Sequence, residues 1–240
     1  MKHGDSERAA LNAALCRLGL ELEDEIQEKL LTFLDLVIEK NKVLNLTRIT
    51  SYEEAIILHL EDSLSIFNEF GQTTGKFLDI GTGAGFPGIP LGITTGRKGT
   101  LLDSVKKKVI AVDEFIKQLG MEDQLDATGL RSEELAQQVG AKYGVVTARA
   151  VSSLPAVEEL AAPLLIKGGK LIAMRGIDTQ EDIDQAKKAA KILGLKLVDR
   201  REFTIGGGEF TRSVCVFEKV GKPQIKLPRH PGYASKKPLV

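Results

Sequence analysis

Cysteine, tryptophan and aromatic residues in general are scarce in this sequence. Its 240 residues include two cysteines, Cys16 and Cys215, and no tryptophan, and the aromatic fraction is 5%. The cysteines lie far apart, and neither belongs to a Cys-x-x-Cys pair or to a Cys/His metal spacing. Their number and positions argue against a disulfide framework and against a bound metal. We therefore expect a cytoplasmic protein, in a reducing compartment, with no metal site.

Long apolar segments are also missing. The apolar run at residues 30–38 is interrupted by Asp35 and is too short to span a bilayer, and the first residues lead into no apolar signal segment. We therefore expect neither secretion nor a membrane partner. The net charge is zero, with 33 basic and 33 acidic residues, which argues against a nonspecific coat for nucleic acid but allows a local basic patch.

The end of the chain carries such a patch. Residues 219–240 contain no Asp or Glu, and their basic side chains are Lys219, Lys222, Lys226, Arg229, Lys236 and Lys237. A basic tail on a neutral protein can hold phosphates, although a solvated terminus would have the same composition. We define residues 221–240 as the basic C-terminal tail.

Helical periodicity dominates the first seventy residues. Apolar residues recur three and four apart, and the pattern predicts helices over residues 5–18, 22–41 and 51–69. Ser51 is the expected N-cap of the last of these, with Glu54 at the capping-box position. The glycine-rich stretch at residues 71–75 interrupts the pattern. We therefore predict a helical N-terminal cap over residues 1–70.

Strands and helices alternate over residues 71–220, the predicted main domain. The pattern predicts strands at residues 76–80, 100–103, 124–128, 145–148 and 169–174, and helices at 86–94, 105–119, 132–138, 154–166 and 182–193. Two β-rich runs, residues 196–205 and 211–220, flank Gly206-Gly207-Gly208 and predict a closing hairpin. The alternation predicts an α/β domain with a mainly parallel sheet, to which the hairpin adds one antiparallel strand.

A glycine loop follows the first predicted strand. Residues 77–88 read Phe-Leu-Asp-Ile-Gly-Thr-Gly-Ala-Gly-Phe-Pro-Gly, so Gly81 and Gly83 are the first two glycines of the loop. A nucleoside cofactor lies across the carboxyl ends of parallel strands, where a glycine backbone can approach it without an obstructing Cβ. The strand before the loop and the helix after it supply the context that a bare Gly-x-Gly pattern lacks.

Two kinds of cofactor fit this loop. Residues 83–88 match the dinucleotide pattern Gly-x-Gly-x-x-Gly, which leaves a nicotinamide or flavin oxidoreductase as an alternative. Asp79, two residues before the first glycine, would repel a pyrophosphate but could face the ammonium group of S-adenosylmethionine. The Gly/Pro-rich helix start is also a poor frame for an anion site. These features favour S-adenosylmethionine; the alternative role of Asp79 is to tether the loop.

Further polar residues follow the second and third predicted strands. Asp103 stands where a carboxylate can accept hydrogen bonds from the ribose hydroxyls of either cofactor, or cap the next helix. Ser132 and Glu133 stand at the corner that would face the adenine. They equally suit a helix start, with Ser132 as the N-cap and Glu133 complementing the helix dipole.

Four segments in the same order resemble the bacterial small-subunit rRNA guanine-N7 methyltransferases, the RsmG or GidB family. The segments are Asn45-Leu46-Thr47 with residues 59–63, the glycine loop at residues 78–90, Leu102-Asp103-Ser104 with Lys108, and residues 146–151. The tail Pro228-Arg229-His230-Pro231-Gly232 with Lys236 is similar to the basic ending of the family. The likeness extends over nearly the whole chain.

The resemblance implies a Rossmann-like class I methyltransferase fold, S-adenosylmethionine as the cofactor, and methyl transfer to guanine N7 in a loop of 16S rRNA near the decoding site. It implies cofactor contacts at Gly81, Phe86, Asp103, Ser104, Val105, Ser132, Glu133 and Arg149. The sequence departs from the family at Arg175, where a lysine is expected; the charge is kept, but a planar fork replaces a point charge. It also has Tyr233-Ala234 where Thr-Pro is expected.

The chemistry of guanine N7 suits this set of residues. N7 has a free lone pair and carries no proton, so its attack on a sulfonium methyl group needs alignment rather than a strong base. We expect Arg149 to lie between cofactor and guanine, with a structural ion pair as the alternative role. The other candidate substrate contacts are Asn45, His59, Asp62, Ser63, Arg175, Arg229 and Lys236. His59 could instead be a buried core histidine.

Two further alternatives stay open at the level of function. One is a methyltransferase for small molecules, against which Arg149 and the basic tail argue. The other is a non-catalytic ribosome-assembly factor that keeps the cofactor fold, against which the intact glycine loop and Asp103 argue. For the favoured function we expect a monomer whose partner is 16S rRNA in the 30S subunit.

Overall fold

Seven strands form one sheet in the residues that the structure, a computed structural model, describes, which are 3–49 and 51–240. The strands are β1 (Phe77–Ile80), β2 (Gly99–Leu102), β3 (Leu125–Thr128), β4 (Tyr143–Arg149), β5 (Leu165–Arg175), β6 (Leu195–Ile205) and β7 (Phe210–Lys219). Their order is β3-β2-β1-β4-β5-β7-β6. Strands β1 to β5 pair in parallel, and β7 is antiparallel to both β5 and β6. The mainly parallel sheet and its closing hairpin are confirmed.

Helices cover both faces of this sheet. The N-terminal ones are α1 (Asp5–Leu18), α2 (Asp24–Leu44), α3 (Tyr52–Ala55), a π-helix (Ile56–Glu61), α4 (Asp62–Leu64) and α5 (Phe67–Gly71). Those after β1 are α6 (Gly88–Thr95), α7 (Lys106–Gln118), α8 (Ser132–Val139), α9 (Leu154–Ala161), α10 (Gln180–Leu193) and α11 (Tyr233–Lys236). No helix of the described residues is both long and apolar enough to cross a bilayer.

Alternation along the strands divides the core into two apolar layers. Phe77 and Val145 belong to the layer that contains α1, α2, α6 and α7, whereas their neighbours Leu78 and Val146 belong to the layer with α8, α9 and α10. All four side chains are fully buried. Because successive side chains point to opposite faces, a strand covered on both sides is apolar throughout, as in doubly covered parallel sheets. The helical N-terminal region therefore packs on one face of the sheet.

Two helix predictions are wrong in part. The single helix predicted over residues 51–69 consists of four helical pieces. One of them is the π-helix, which has about one residue more per turn than an α-helix and so changes the direction of the side chains that follow it. The helix predicted over 154–166 ends at Ala161, and Ile166 lies in β5. The apolar run before Ile166 suits either period, and pairing of Leu165 with Tyr143 of β4 decides in favour of the strand.

Candidate functional site

The first of two adjacent cavities, here called the cofactor cavity, opens at the carboxyl ends of β1 and β2. Its volume is about 180 Å³. Its lining residues are Ile80, Gly81, Leu102, Asp103, Ser104, Leu130, Arg131, Ser132, Glu133, Val151, Ser152, Leu160, Gly232, Ala234 and Ser235. Five of the residues predicted to contact the cofactor are thus brought together, from three separate strand ends. This edge is where open α/β sheets bind nucleotides.

Glycine is required at the first turn of the loop. Gly81 has a φ of +70°, and a Cβ added there would lie 2.7 Å from Cγ2 of Val151. Its N–H donates to the carbonyl of Leu102 at 2.8 Å, which ties the loop to the end of β2. A larger residue would be strained by its backbone and would also displace Val151. The loop therefore keeps its backbone open toward the cofactor cavity.

Asp103 is the residue that organises this cavity. Its carboxylate accepts from the N–H of Gly83 at 3.1 Å and from the N–H of Val105 at 2.8 Å, and it lies 3.8 Å from Nζ of Lys108. The residue is buried but lines the cavity. One carboxylate therefore fixes both the glycine loop and the start of α7, and it has lone pairs left for further hydrogen bonds in the cavity.

Asp79 is fully buried within β1. One oxygen accepts from the N–H of Gly88 at 3.0 Å and the other from the hydroxyl of Thr147 at 2.9 Å. Burial raises the pKa of Asp79 to about 6, against the opposing effect of the hydrogen bonds from Thr147 and Gly88 and of the charge of Arg149. This geometry supports the tether role, and the carboxylate places negative charge under the loop.

The remaining predicted cofactor residues lie around this centre in different ways. Ser104 and Glu133 line the cavity, and Val105 is the exposed residue that precedes α7. Ser132 is the first residue of α8, not its N-cap, and its hydroxyl donates to the carbonyl of Leu160 at 2.9 Å. The N-cap role was wrong because Arg131 precedes Ser132 with an extended backbone. Phe86 is buried and lines neither cavity, but its ring stacks on His59, which lines the second.

The second cavity, here called the base pocket, has a volume of about 340 Å³. Its lining residues are Ile49, Leu58, His59, Asp62, Arg149, Ala150, Met174, Arg175, Gly176 and Arg212. Three arginines and one carboxylate line it, among apolar side chains. Such a pocket suits a flat, polar-edged ligand with hydrogen-bond acceptors.

Asp62 holds two of these arginines in place. Arg149 donates to one of its oxygens at 2.9 Å and Arg212 to the other at 2.8 Å, and Arg149 also donates to the carbonyl of Leu58 at 3.1 Å. Asp62 is buried and both arginines are partly exposed. A guanidinium has five N–H donors, so each arginine keeps donors for a ligand. Arg149 therefore forms an ion pair, its predicted alternative role, and also lines the base pocket.

His59 lies at the wall of the base pocket as a neutral imidazole. Its ring stacks on Phe86 with centroids 4.4 Å apart and an angle of 11°, and its Nε2 lies 3.1 Å from the hydroxyl of Thr47. Burial, reinforced by the charge of Arg149, lowers the pKa of His59 to about 3. His59 therefore offers a flat, uncharged surface, while Phe86 connects the glycine loop to the base pocket.

One short segment joins the two cavities. Arg149 and Ala150 line the base pocket, and Val151 and Ser152 line the cofactor cavity. Ala150 has a φ of +52°, the left-handed region that residues with a Cβ rarely adopt. Such strain is typical of functional sites, where the surrounding structure holds an unfavourable backbone in place. Here it turns the chain between the two cavities.

The structure separates several residues that the sequence grouped as substrate contacts. Ser63 is fully buried outside the pocket lining, and Asn45 lies in a neighbouring groove. Arg175 lines the base pocket and pairs with Asp178 at 3.0 Å. Arg229 pairs with Glu159 beside the cofactor cavity, and Lys236 lies exposed on α11.

Sequence reasoning missed Arg212 and the tail residues of the cofactor cavity. Arg212 lies in β7 and meets Asp62 only through the fold, so no local pattern indicates it. Gly232 and Ser235 reach the cofactor cavity from the end of the chain. Their one signal was the resemblance of the tail to the family ending, which did not point to the cofactor.

The lining of the cofactor cavity fits S-adenosylmethionine. It offers carboxylates to hydroxyl groups and a glycine turn without a Cβ, and a buried carboxylate lies beneath the loop that faces it. The fold agrees: the chain is similar to an O-methyltransferase from Bacillus cereus in complex with SAH, with a TM-score of 0.56, 17% identity, and 78% and 91% of the two chains covered. A sarcosine dimethylglycine methyltransferase from Galdieria sulphuraria, described as putative by its source, gives a TM-score of 0.53 at 16% identity, over 72% and 89%. The chain therefore has the fold of the class I methyltransferases.

The family follows from the sequence comparisons. Residues 26–207 match the GidB family, described as rRNA small subunit methyltransferase G, and the chain belongs to this family. It is 39% identical to the ribosomal RNA small subunit methyltransferase G of Alkaliphilus metalliredigens, over 92% of this chain and 94% of that one. It is 36% identical to the protein of the same name from Clostridium novyi, over 96% of each. The family assignment decides against the oxidoreductase alternative.

Proposed function

We propose that this protein transfers a methyl group from S-adenosylmethionine to N7 of a guanine in 16S rRNA of the small ribosomal subunit. One observation carries the assignment of roles within the site. The segment 149–152 lines both cavities, so a base beside Arg149 lies next to a cofactor beside Val151. Proximity of this kind is the main requirement of a reaction between two bound groups.

The residues of the base pocket fit a guanine. The bound cofactor supplies an electrophilic methyl group. Guanine presents O6 and N7 as acceptors on one edge, and Arg149 and Arg212 have free N–H donors for O6 or for a phosphate. N7 loses no proton on methylation, so the neutral His59 needs no part as a base. Its ring and the apolar side chains of Leu58 and Met174 exclude water from the reacting edge.

A groove beside the base pocket fits the flanking RNA backbone. It has a volume of about 930 Å³ and is lined by Asn41, Asn45 and Thr47 together with Lys42, Arg48 and Lys108. Thr47 connects it to His59 through their hydrogen bond. Basic side chains beside small polar ones are the usual partners of phosphate and sugar groups. We accordingly expect a cytoplasmic monomer that binds the 30S particle with the target guanine turned into the pocket.

Methyl transfer to 30S particles that lack the modification tests this function. With labelled S-adenosylmethionine, the protein should label one guanine, and borohydride reduction followed by aniline cleavage should cut the 16S rRNA at that one nucleotide. Labelling of free nucleotides or small metabolites instead would favour a small-molecule methyltransferase. Binding of S-adenosylhomocysteine without transfer to any acceptor would favour a non-catalytic assembly factor.

A further inference from the structure

The C-terminal strap, defined here as residues 229–237, forms part of the wall of the cofactor cavity. Gly232, Ala234 and Ser235 line that cavity together with Gly81 and Asp103. The N–H of Gly232 donates to Oε1 of Glu133 at 2.8 Å. Glu133 is one of the residues predicted to face the adenosine, and it is buried beneath the strap. The strap thus occupies part of the edge that a cofactor must use.

A second, independent contact anchors the strap. Arg229 donates from Nε to one oxygen of Glu159 at 2.8 Å and from a terminal nitrogen to the other at 2.5 Å. The same arginine donates to the carbonyl of Lys237 at 2.8 Å, which closes the strap into a loop. Glu159 is 4% exposed, so this two-point pair is shielded on one side. The hydrogen bond to Glu159 raises the pKa of Arg229 above its usual value.

Few other interactions hold the strap down. Its helix α11 has four residues, and Ala234 is its one buried apolar side chain. Segments with little buried apolar area and few backbone hydrogen bonds open at a much lower free energy than the core. Gly232, with a φ of +83°, precedes α11 and gives the strap a backbone position with little steric restriction. The strap is therefore built to detach while the sheet stays folded.

The small volume of the cavity with the strap in place gives a reason for detachment. Sites that enclose ligands of the size of a nucleoside cofactor have volumes of roughly 300–1,000 Å³. The cofactor cavity has about 180 Å³ with the strap in place. Because the strap supplies three of the residues that line the cavity, moving it outward enlarges the cavity.

We propose that the strap gates the cofactor cavity, with Arg229 and Glu159 as the latch, so that it opens for cofactor exchange and closes over the bound cofactor. This inference rests on the proposed function for the identity of the cofactor. It assigns Arg229 a positioning role on the cofactor side, in place of the RNA contact expected from the basic tail. Weakening the latch should speed both entry and release of the cofactor.

Binding kinetics of S-adenosylhomocysteine to the full chain test the gate. Arg229→Ala and Glu159→Gln should each raise the association and dissociation rate constants about 10-fold, with the melting temperature close to that of the wild type. The double variant should have rate constants close to those of either single variant, because both substitutions remove the same contact. Lys226→Ala, which removes the same charge from an exposed tail position, is the matched control and should behave as the wild type.

Hydrogen exchange on the wild-type protein tests the gate without any substitution. Amides of the strap, such as those of Lys236 and Lys237, should exchange more slowly once S-adenosylhomocysteine is bound. Unchanged exchange, or rate constants unaffected by Arg229→Ala, would overturn the gate and leave the proposed function standing. A wild-type protein that does not bind S-adenosylhomocysteine would overturn the proposed function itself, and the gate with it.

Discussion

The cofactor cavity and the base pocket lie at the same edge of the sheet but are built from opposite charges. The first has the buried carboxylates of Asp103 and Glu133 in its lining beside the exposed Arg131, with Asp79 beneath the loop. The second places Arg149 and Arg212 on either side of Asp62. A positively charged methyl donor is favoured beside the carboxylates, and the acceptor edge of a guanine beside the guanidinium groups. The difference in charge therefore tells the two cavities apart before any ligand is considered.

The largest expected effect is on the base side. Arg149→Ala removes a donor to the guanine and leaves Asp62 with one partner, so kcat/KM for 30S particles should fall about 100-fold. The affinity for S-adenosylhomocysteine, measured by calorimetry, should change less than about threefold because the guanidinium lies outside the cofactor cavity.

Arg201→Ala is the control for Arg149→Ala. Arg201 also pairs with a buried carboxylate, that of Glu69, but it lies outside the base pocket. The Arg201→Ala protein should methylate 30S particles with the kcat/KM of the wild type. If Arg149→Ala lost cofactor affinity as much as transfer activity, Arg149 would act on the cofactor, and the assignment of separate roles to the two cavities would be wrong.

The matching change on the cofactor side is Asp103→Asn. An amide cannot accept from the N–H groups of both Gly83 and Val105, because one of its two heteroatoms is a donor. Loss of one charge-assisted hydrogen bond costs about 2 kcal/mol, so the Kd for S-adenosylhomocysteine should rise about 30-fold. Binding of 30S particles should be unchanged.

Asp126→Asn provides the comparison for Asp103→Asn. Asp126 lies in β3 and forms an exposed ion pair with Lys76 at 2.8 Å, away from both cavities. It should bind S-adenosylhomocysteine as the wild type does. If Asp103→Asn also keeps full affinity, the carboxylate does not organise the cavity.

Arg212→Ala sharpens the account within the base pocket. It removes the second partner of Asp62 but leaves Arg149 in place, so kcat/KM should fall about 10-fold, less than for Arg149→Ala. Single-turnover rates at saturating 30S should separate binding from chemistry. A loss as large as that of Arg149→Ala would show that the three residues act as one unit.

The smallest expected effect is a change with pH, and it differs between cofactor affinity and the rate of methyl transfer. Because the folded-state pKa of Asp79 is about 6, above the value of about 4 for an unfolded aspartate, its protonation stabilises the fold at low pH. That stability is lost as the pH rises through about 6, whereas the carboxylate that then forms attracts a cationic cofactor. Cofactor affinity should therefore rise a few-fold from about pH 5 to about pH 7, a range set by that pKa.

The chemical step should show no such change. The pKa of His59 is about 3, so its charge is constant over the same range. Single-turnover transfer with cofactor and 30S both saturating should be flat over this range. An Asp79→Asn protein whose cofactor affinity still rises with pH would assign the effect to another group.

The contrast between the two cavities also explains what the sequence could predict. Gly81, Asp103 and Glu133 closely follow β1, β2 and β3, and the ends of parallel strands meet at one edge, so periodicity and the glycine loop placed them there. The family resemblance, rather than the spacing, made Glu133 a predicted cofactor contact. Arg212 and Asp62 meet across 150 positions of sequence, and the π-helix that aims Asp62 was expected to be a regular helix. Side-chain proximity of that kind depends on packing that no local pattern records.

A crystal structure with S-adenosylhomocysteine and guanosine monophosphate tests the central claim most directly. The account predicts the cofactor between the glycine loop and Asp103, and the guanine in the base pocket with its O6 edge toward Arg149 and Arg212. The segment 149–152 should contact both ligands. Guanine bound instead in the groove of Lys42, Arg48 and Lys108, with the base pocket empty, would contradict it.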